Sequence, residues 1–163
     1  MTKDSRIVYM SEEAIYVSYP VNFGEETVIH KVFVQRSKIV PLADTKIEGN
    51  VNNQFSMDEY GNVLRVATSN VLFGTNYVYT LDYNLKELDK SSSFADFKRI
   101  FAVRFTTNRL YISTFQRTDP FYVIDVSNPN SIKILGNLVL EGFSRFLYVF
   151  VDNIILSFGR ANG

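Results

Sequence analysis

The sequence contains no cysteine and no tryptophan, and only one histidine among its 163 residues. The first absence excludes a disulfide framework, a thiolate zinc site and a cysteine nucleophile. With His30 alone, a multi-histidine metal site is ruled out, and any Ser-His-Asp scheme must use that residue. Charge of one sign is also lacking: 17 Lys+Arg stand against 17 Asp+Glu. A nucleic-acid binder would carry a basic excess, so no nucleic-acid partner is expected, and no adhesion to an acidic membrane surface. Long hydrophobic runs are missing. The longest, Phe146 to Val151, is far too short to span a bilayer, so no membrane insertion is expected. Met1-Thr2-Lys3-Asp4-Ser5 offers no apolar export signal, which by itself leaves a cytoplasmic location open. Gly24, Gly49, Gly61 and Gly74 are isolated, so no glycine-rich phosphate loop forms. Nowhere do apolar residues hold a helical period over three turns. No motif calls for a cofactor.

What is present is strand chemistry. Hydrophobic residues make up 46% of the chain, with fourteen Phe and ten Tyr, which together with Val and Ile favour strands over helices. They fall into a repeat. Ile7–Met10 and Ala14–Ser18, Phe55–Met57 and Val63–Thr68, Phe101–Phe105 and Arg109–Thr114, Phe146–Val149 and Ile154–Ser157 each read as two strands around a tight turn. The equivalent aliphatics Ile15, Leu64, Leu110 and Ile155 are spaced by 49, 46 and 45 residues, by subtraction of their numbers. Gly61-Asn62, Thr107-Asn108 and Asp152-Asn153 supply residues that tolerate the positive φ of two-residue hairpins. Glu12-Glu13 lacks that chemistry, which predicts a longer loop there.

Third strands are read at Thr27–Val32, Tyr77–Asp82 and Phe121–Asp125, and fourth strands at Lys38–Val40, Leu85–Leu88 and Ile132–Leu135. Four short strands in about 45 residues are the signature of a propeller blade. The expected fold is therefore all-β: β-propeller blades of four-stranded antiparallel sheets at 6–49, 50–96 and 97–142, and an incomplete one at 143–163, forming one partial propeller. Closed propellers need about 4 to 8 blades. Three and a half leave exposed ends, so self-association, or pairing with missing blades, is expected.

Asn53-Gln54-Phe55-Ser56-Met57-Asp58-Glu59-Tyr60, with Leu64-Arg65-Val66-Ala67-Thr68 after it, resembles the most characteristic stretch of the prokaryotic secreted β-propeller family. Val103-Arg104-Phe105, Thr114-Phe115-Gln116 and Asp119 to Asp125 match it in order, as do Thr27 to Lys31 upstream and Gly142-Phe143-Ser144 downstream. Where members of that family tend to read Arg-Gln after Thr-Phe, this chain reads Gln116-Arg117. Members are several-fold longer and begin with an export signal. The resemblance implies a propeller fold and an extracellular or cell-surface setting; it implies no reaction.

The candidate ligand-binding residues are Gln54, Asp58, Arg104, Gln116, Arg117 and Asp119, a polar set at strand ends and loops where propellers bind ligands on a rim or in the channel. The competing reading is hydrogen bonding between blades, for instance Arg104 with Asp119. Asp58-Glu59 is the best acidic pair for glycoside chemistry, but adjacent strand residues point to opposite faces. Asp82-Tyr83-Asn84 lacks the glycine and the next ligand of a calcium loop, and reads as a turn. His30 reads as a half-buried strand residue. The expectation is a non-enzymatic binding module for a protein or glycan. The alternatives are a hydrolase acting on a polysaccharide or ester, or a truncated gene product without independent function.

Overall fold

The computed structural model describes residues 6–35, 38–115, 119–140, 143–151 and 154–160. Among them there is no α-helix. Strands β1 (Ile7–Met10), β2 (Ile15–Val21), β3 (Glu26–Gln35) and β4 (Lys38–Glu48) form the first antiparallel sheet, in chain order. β5 (Asn50–Val51), β6 (Met57–Tyr60), β7 (Val63–Asn70), β8 (Thr75–Leu81) and β9 (Glu87–Lys90) form the second; β5 and β6 both pair with β7, one at each end of it. β10 (Arg99–Phe105), β11 (Arg109–Phe115), β12 (Asp119–Asp125) and β13 (Lys133–Leu140) form the third, and β14 (Phe143–Val151) with β15 (Ile154–Arg160) the fourth. First strands of successive sheets lie against one another: β10 meets β14, and the 3-10 turn Gln54–Ser56 touches both β1 and β10. In each of the first three sheets the last strand, β4, β9 or β13, lies at the edge opposite these first strands.

Several local expectations are corrected. Phe55 and Ser56 are not in a strand; they form the 3-10 turn, whose start is fixed by Asn53 accepting the Phe55 N–H at 2.9 Å. Leu85 and Lys86 precede β9 in a turn, with Leu85 at φ 60. Asp82 explains it: its carboxylate accepts the N–H groups of Asn84 and Lys86 at 2.9 and 2.8 Å, an Asx turn that leaves β9 to start at Glu87. Gly61 and Asn62 have φ 59 and 64, as a type I′ hairpin requires. Thr107-Asn108 makes a turn without positive φ. There the Thr106 hydroxyl accepts the Arg109 N–H at 3.1 Å. The Glu12-Glu13 loop is longer than the two-residue Gly61-Asn62 turn, as expected: residues 11–14 separate β1 from β2, and the Ser11 hydroxyl closes them by accepting the N–H groups of Glu13 and Ala14. Asp152-Asn153 lies outside the described residues.

The sheets stack face to face with one polarity. Tyr16, Ile29 and Ile47 of the first sheet pack against Leu64, Val66, Tyr79 and Leu81 of the second. Ala67 and Val78, on the second sheet's other face, pack against Leu110, Ile112 and Ile124 of the third. Ala102 and Tyr111, on the third sheet's other face, meet Leu147 and Ile155 of the fourth. At each junction the following sheet presents the face carrying Leu64, Leu110 or Ile155. Leu64 and Leu110 are fully buried; Ile15, at the same register position in the first sheet, is half-buried. Alternation of side chains along a strand is what gives each sheet two packing faces.

Polar ties reinforce the junctions. Gly49 links the first two sheets: its N–H reaches the Glu25 carbonyl at 2.6 Å and its carbonyl accepts the Thr27 hydroxyl at 2.7 Å. A Cβ at Gly49 would lie 2.8 Å from the Thr68 hydroxyl oxygen, and its φ is +85. Between the second and third sheets, Thr80 donates to the Pro129 carbonyl at 2.6 Å, and Asp89 accepts the Ile132 N–H at 2.7 Å.

Candidate axial site

The first strands of the sheets line two cavities. A cavity of ≈ 210 Å³ lies where β1, β6 and β10 converge, with Tyr9, Gln54, Phe55, Asp58, Val103 and Arg104 in its wall. A second, of ≈ 170 Å³, continues toward β14 and shares Phe55, Val103 and Arg104 with the first, adding Asn53, Phe101 and Leu147. Three of the six sequence candidates, Gln54, Asp58 and Arg104, therefore come together. Gln116 and Arg117 lie outside the described residues. Asp119 begins β12 opposite Leu140. It is remote from Arg104: Tyr111 pairs with both Arg104 and Val123, so Asp119 sits two strands away and four residues along. At about 3.3 Å per residue and 4.8 Å per strand that is roughly 16 Å, too far for the Arg104–Asp119 bond considered from sequence.

The converging side chains are not equivalent. Asp58 is engaged by Arg65, whose Nε lies 2.9 Å from Oδ2 and whose Nη2 also donates to it. Arg65 is buried; its Nη1 donates to the Thr107 carbonyl at 2.9 Å, and its guanidinium lies 5.3 Å from the Tyr60 ring centroid and 5.2 Å from that of Phe105. This arginine fastens the second sheet to the third hairpin. Arg104 is exposed and has no ion-pair or hydrogen-bond partner among the described residues. Beside it, the Phe55 ring is 55% exposed and Phe101 38%.

Glu59 points to the opposite face of β6, toward the first sheet. Its side chain is 3% exposed and faces Lys31, 1% exposed, at 3.5 Å; its other oxygen accepts the Ser11 hydroxyl. Lys31 donates to the Tyr83 carbonyl at 3.3 Å and sits 3.8 Å from the Tyr83 ring centroid. Tyr9 accepts the Glu59 N–H at 2.9 Å. Burial raises the Tyr9 and Tyr16 phenols above their ordinary value, so both stay protonated through neutral pH. A cleft of ≈ 570 Å³ at the hairpin tips above this pair is lined by Ser11, Glu12, Glu13, Glu59, Gly61 and Asn62. Among the described residues, no three His, Asp or Glu side chains come together to hold a metal ion. His30 is half-buried in β3, 3.2 Å from the Tyr19 hydroxyl with the two rings stacked, and its cross-strand neighbours are Val17 and Asp44.

Lys31, Glu59 and Arg65 escaped the sequence reading as partners. The signal was there: Lys31 has the parity of core-facing Ile29, and Arg65 that of Ala67. A charge at a core-facing strand position demands a partner on the next sheet.

Successive antiparallel sheets of about four strands in chain order, packed face to face, are the arrangement of propeller blades. The sequence matches the β-propeller domain family over residues 1–163, and the chain belongs to that family. It is 36% identical to an uncharacterized protein of Archaeoglobus fulgidus over 167 residues, covering 100% of this chain and 26% of that protein. It is 39% identical to an uncharacterized protein of Methanocaldococcus jannaschii over 123 residues, covering 71% of this chain and 19% of that protein. The chain thus spans about a quarter or less of the length of these relatives.

Proposed function

We propose that the chain is a non-enzymatic, extracytoplasmic binding module whose axial cavities take an acidic glycan. The observation that carries this reading is Arg104, an exposed cation without a partner among the described residues, set between cavities walled by the exposed rings of Phe55 and Phe101. A uronate carboxylate fits the guanidinium fork, and the apolar face of the same sugar fits an aromatic ring. Asp58 and Glu59 do not favour hydrolysis: each is held in an ion pair, and the two point to opposite faces of β6. The setting outside the cytoplasm rests on the resemblance to secreted propellers.

The test is calorimetric titration with oligogalacturonate and with its neutral galactose counterpart. Binding of the acidic oligomer alone is expected. Arg104→Ala should weaken it about tenfold or more, since a hydrogen bond to a charged group contributes ~1.5–3 kcal/mol, while the unfolding midpoint stays unchanged. Equal binding of the neutral oligomer, or indifference to Arg104→Ala, contradicts the reading. Cleavage of the oligomer by pure protein would restore the hydrolase alternative.

A further inference from the structure

Tyr9 stands where two cavities meet. It is in the wall of the ≈ 210 Å³ axial cavity and also in that of the ≈ 570 Å³ cleft at the hairpin tips. β1 sets it there: Tyr9 shares the parity of Ile7, and both pack toward the second sheet. Its ring stacks on that of Tyr16, its cross-strand partner, with centroids 5.8 Å apart. The phenol oxygen thereby reaches β6, which has β7 as its only strand partner among the described residues. The Glu59 N–H leaves the open edge of β6 and donates to Tyr9 Oη at 2.9 Å. That bond uses the oxygen as an acceptor, and the phenol still has a proton to give. No acceptor takes it among the described residues. The nearby carboxylates are engaged elsewhere, Asp58 by Arg65 and Glu59 by Lys31 and Ser11. Burial raises the phenol above its ordinary value, so the proton is held at neutral pH.

We infer that Tyr9 is a further ligand-binding residue of the axial site, donating its hydroxyl proton to a hydroxyl or ring oxygen of the sugar whose carboxylate Arg104 holds. The inference rests on the acidic-glycan reading above. The two side chains come from separate strands, β1 and β10, into the wall of one cavity, and they select for different things. A guanidinium fork holds a carboxylate whatever that carboxylate is attached to. A neutral O–H donor whose oxygen is already bonded to Glu59 asks for an uncharged acceptor at a second point on the ligand. Arg104 therefore makes the site select acids, and Tyr9 makes it select, among acids, those that carry sugar oxygens.

The test is calorimetric titration of the intact chain, as wild type, Tyr9→Phe and Arg104→Ala, with oligogalacturonate and with a short polyacrylate of matched charge. Tyr9→Phe keeps the ring on Tyr16 and removes only the hydroxyl. It should weaken oligogalacturonate about fivefold, the usual yield of one neutral hydrogen bond, and leave polyacrylate unchanged. Arg104→Ala should weaken both. A purely structural role for Tyr9, as acceptor of the Glu59 N–H, would lower both affinities together or neither. In the wild type, nuclear Overhauser contacts between the sugar ring protons and the Tyr9 ring are expected, and this reading needs no variant to fold. Binding that depends on Arg104 but is indifferent to Tyr9→Phe, equal losses for the two ligands in Tyr9→Phe, or absence of those contacts overturns the inference and leaves the glycan reading standing. Failure of the wild type to bind oligogalacturonate overturns both.

Discussion

Replacing Lys31 by Met removes one half of an ion pair that joins the first two sheets and leaves the other half in place. Glu59 is 3% exposed and its Oε1 has Lys31, at 3.5 Å, as its charge partner; only its second oxygen keeps a donor, the Ser11 hydroxyl. Methionine fills the volume of the lysine stem between Tyr16 and Tyr83, so packing is largely kept and the loss is electrostatic. A buried charge stripped of its partner costs about 3–5 kcal/mol, and the cation–π contact with Tyr83 at 3.8 Å adds to it. With a urea slope of about 2 kcal/mol/M, the midpoint should fall by roughly 2 M. The double variant Lys31→Met with Glu59→Leu removes both charges, and exchanging a buried pair for apolar residues is often close to neutral. It should therefore recover most of the loss. Urea unfolding followed by tyrosine fluorescence reads both quantities. If Lys31→Met costs less than about 1 kcal/mol, a value typical of exposed pairs, or if the double variant is no more stable than the single one, the account of this junction is wrong.

Two further outcomes follow from local geometry. Gly49→Ala places a Cβ 2.8 Å from the Thr68 hydroxyl at a residue with φ +85, and should destabilise by about 1–3 kcal/mol; Gly61→Ala, which meets nothing within 4 Å, should lose less on chemical denaturation. Asp125 is held below its ordinary pKa of 3.8 by hydrogen bonds from Ser127 and by Arg109. Its stabilisation is full above 3.8 and is lost as the pH falls from there through the lower folded value, so Asp125→Asn should flatten the acid limb of the stability curve. An unchanged acid limb counts against this.

The repeat was legible because period-two alternation and 45-to-49-residue spacing act together over the whole chain, and that settled both fold class and strand order. Turns were legible only where the tip residues themselves carry the chemistry. Gly61-Asn62 did; at Glu12-Glu13 the work is done by Ser11, one residue earlier, which a search for glycine and asparagine passes over. Phe55-Ser56 looked like strand because an aromatic residue before an alternating run usually is. The Asn53 side chain instead captures the Phe55 N–H and turns the chain. At the axis, the sequence found Gln54, Asp58 and Arg104 but could not rank them. Which carboxylate is already engaged depends on Arg65 and Lys31, and those contacts form only when strands meet across sheets.

The central claim is that the sheets stack through one repeated face, with Leu64 and Leu110 at the same position in successive junctions. The most direct measurement is the unfolding free energy of Leu64→Ala and Leu110→Ala beside Leu72→Ala, which lies at an exposed hairpin tip. The first two should each lose about 2–5 kcal/mol, as buried leucines do, and the third less than about 0.5 kcal/mol. Losses at Leu64 and Leu110 no larger than that at Leu72 would contradict the register and the stacking built on it.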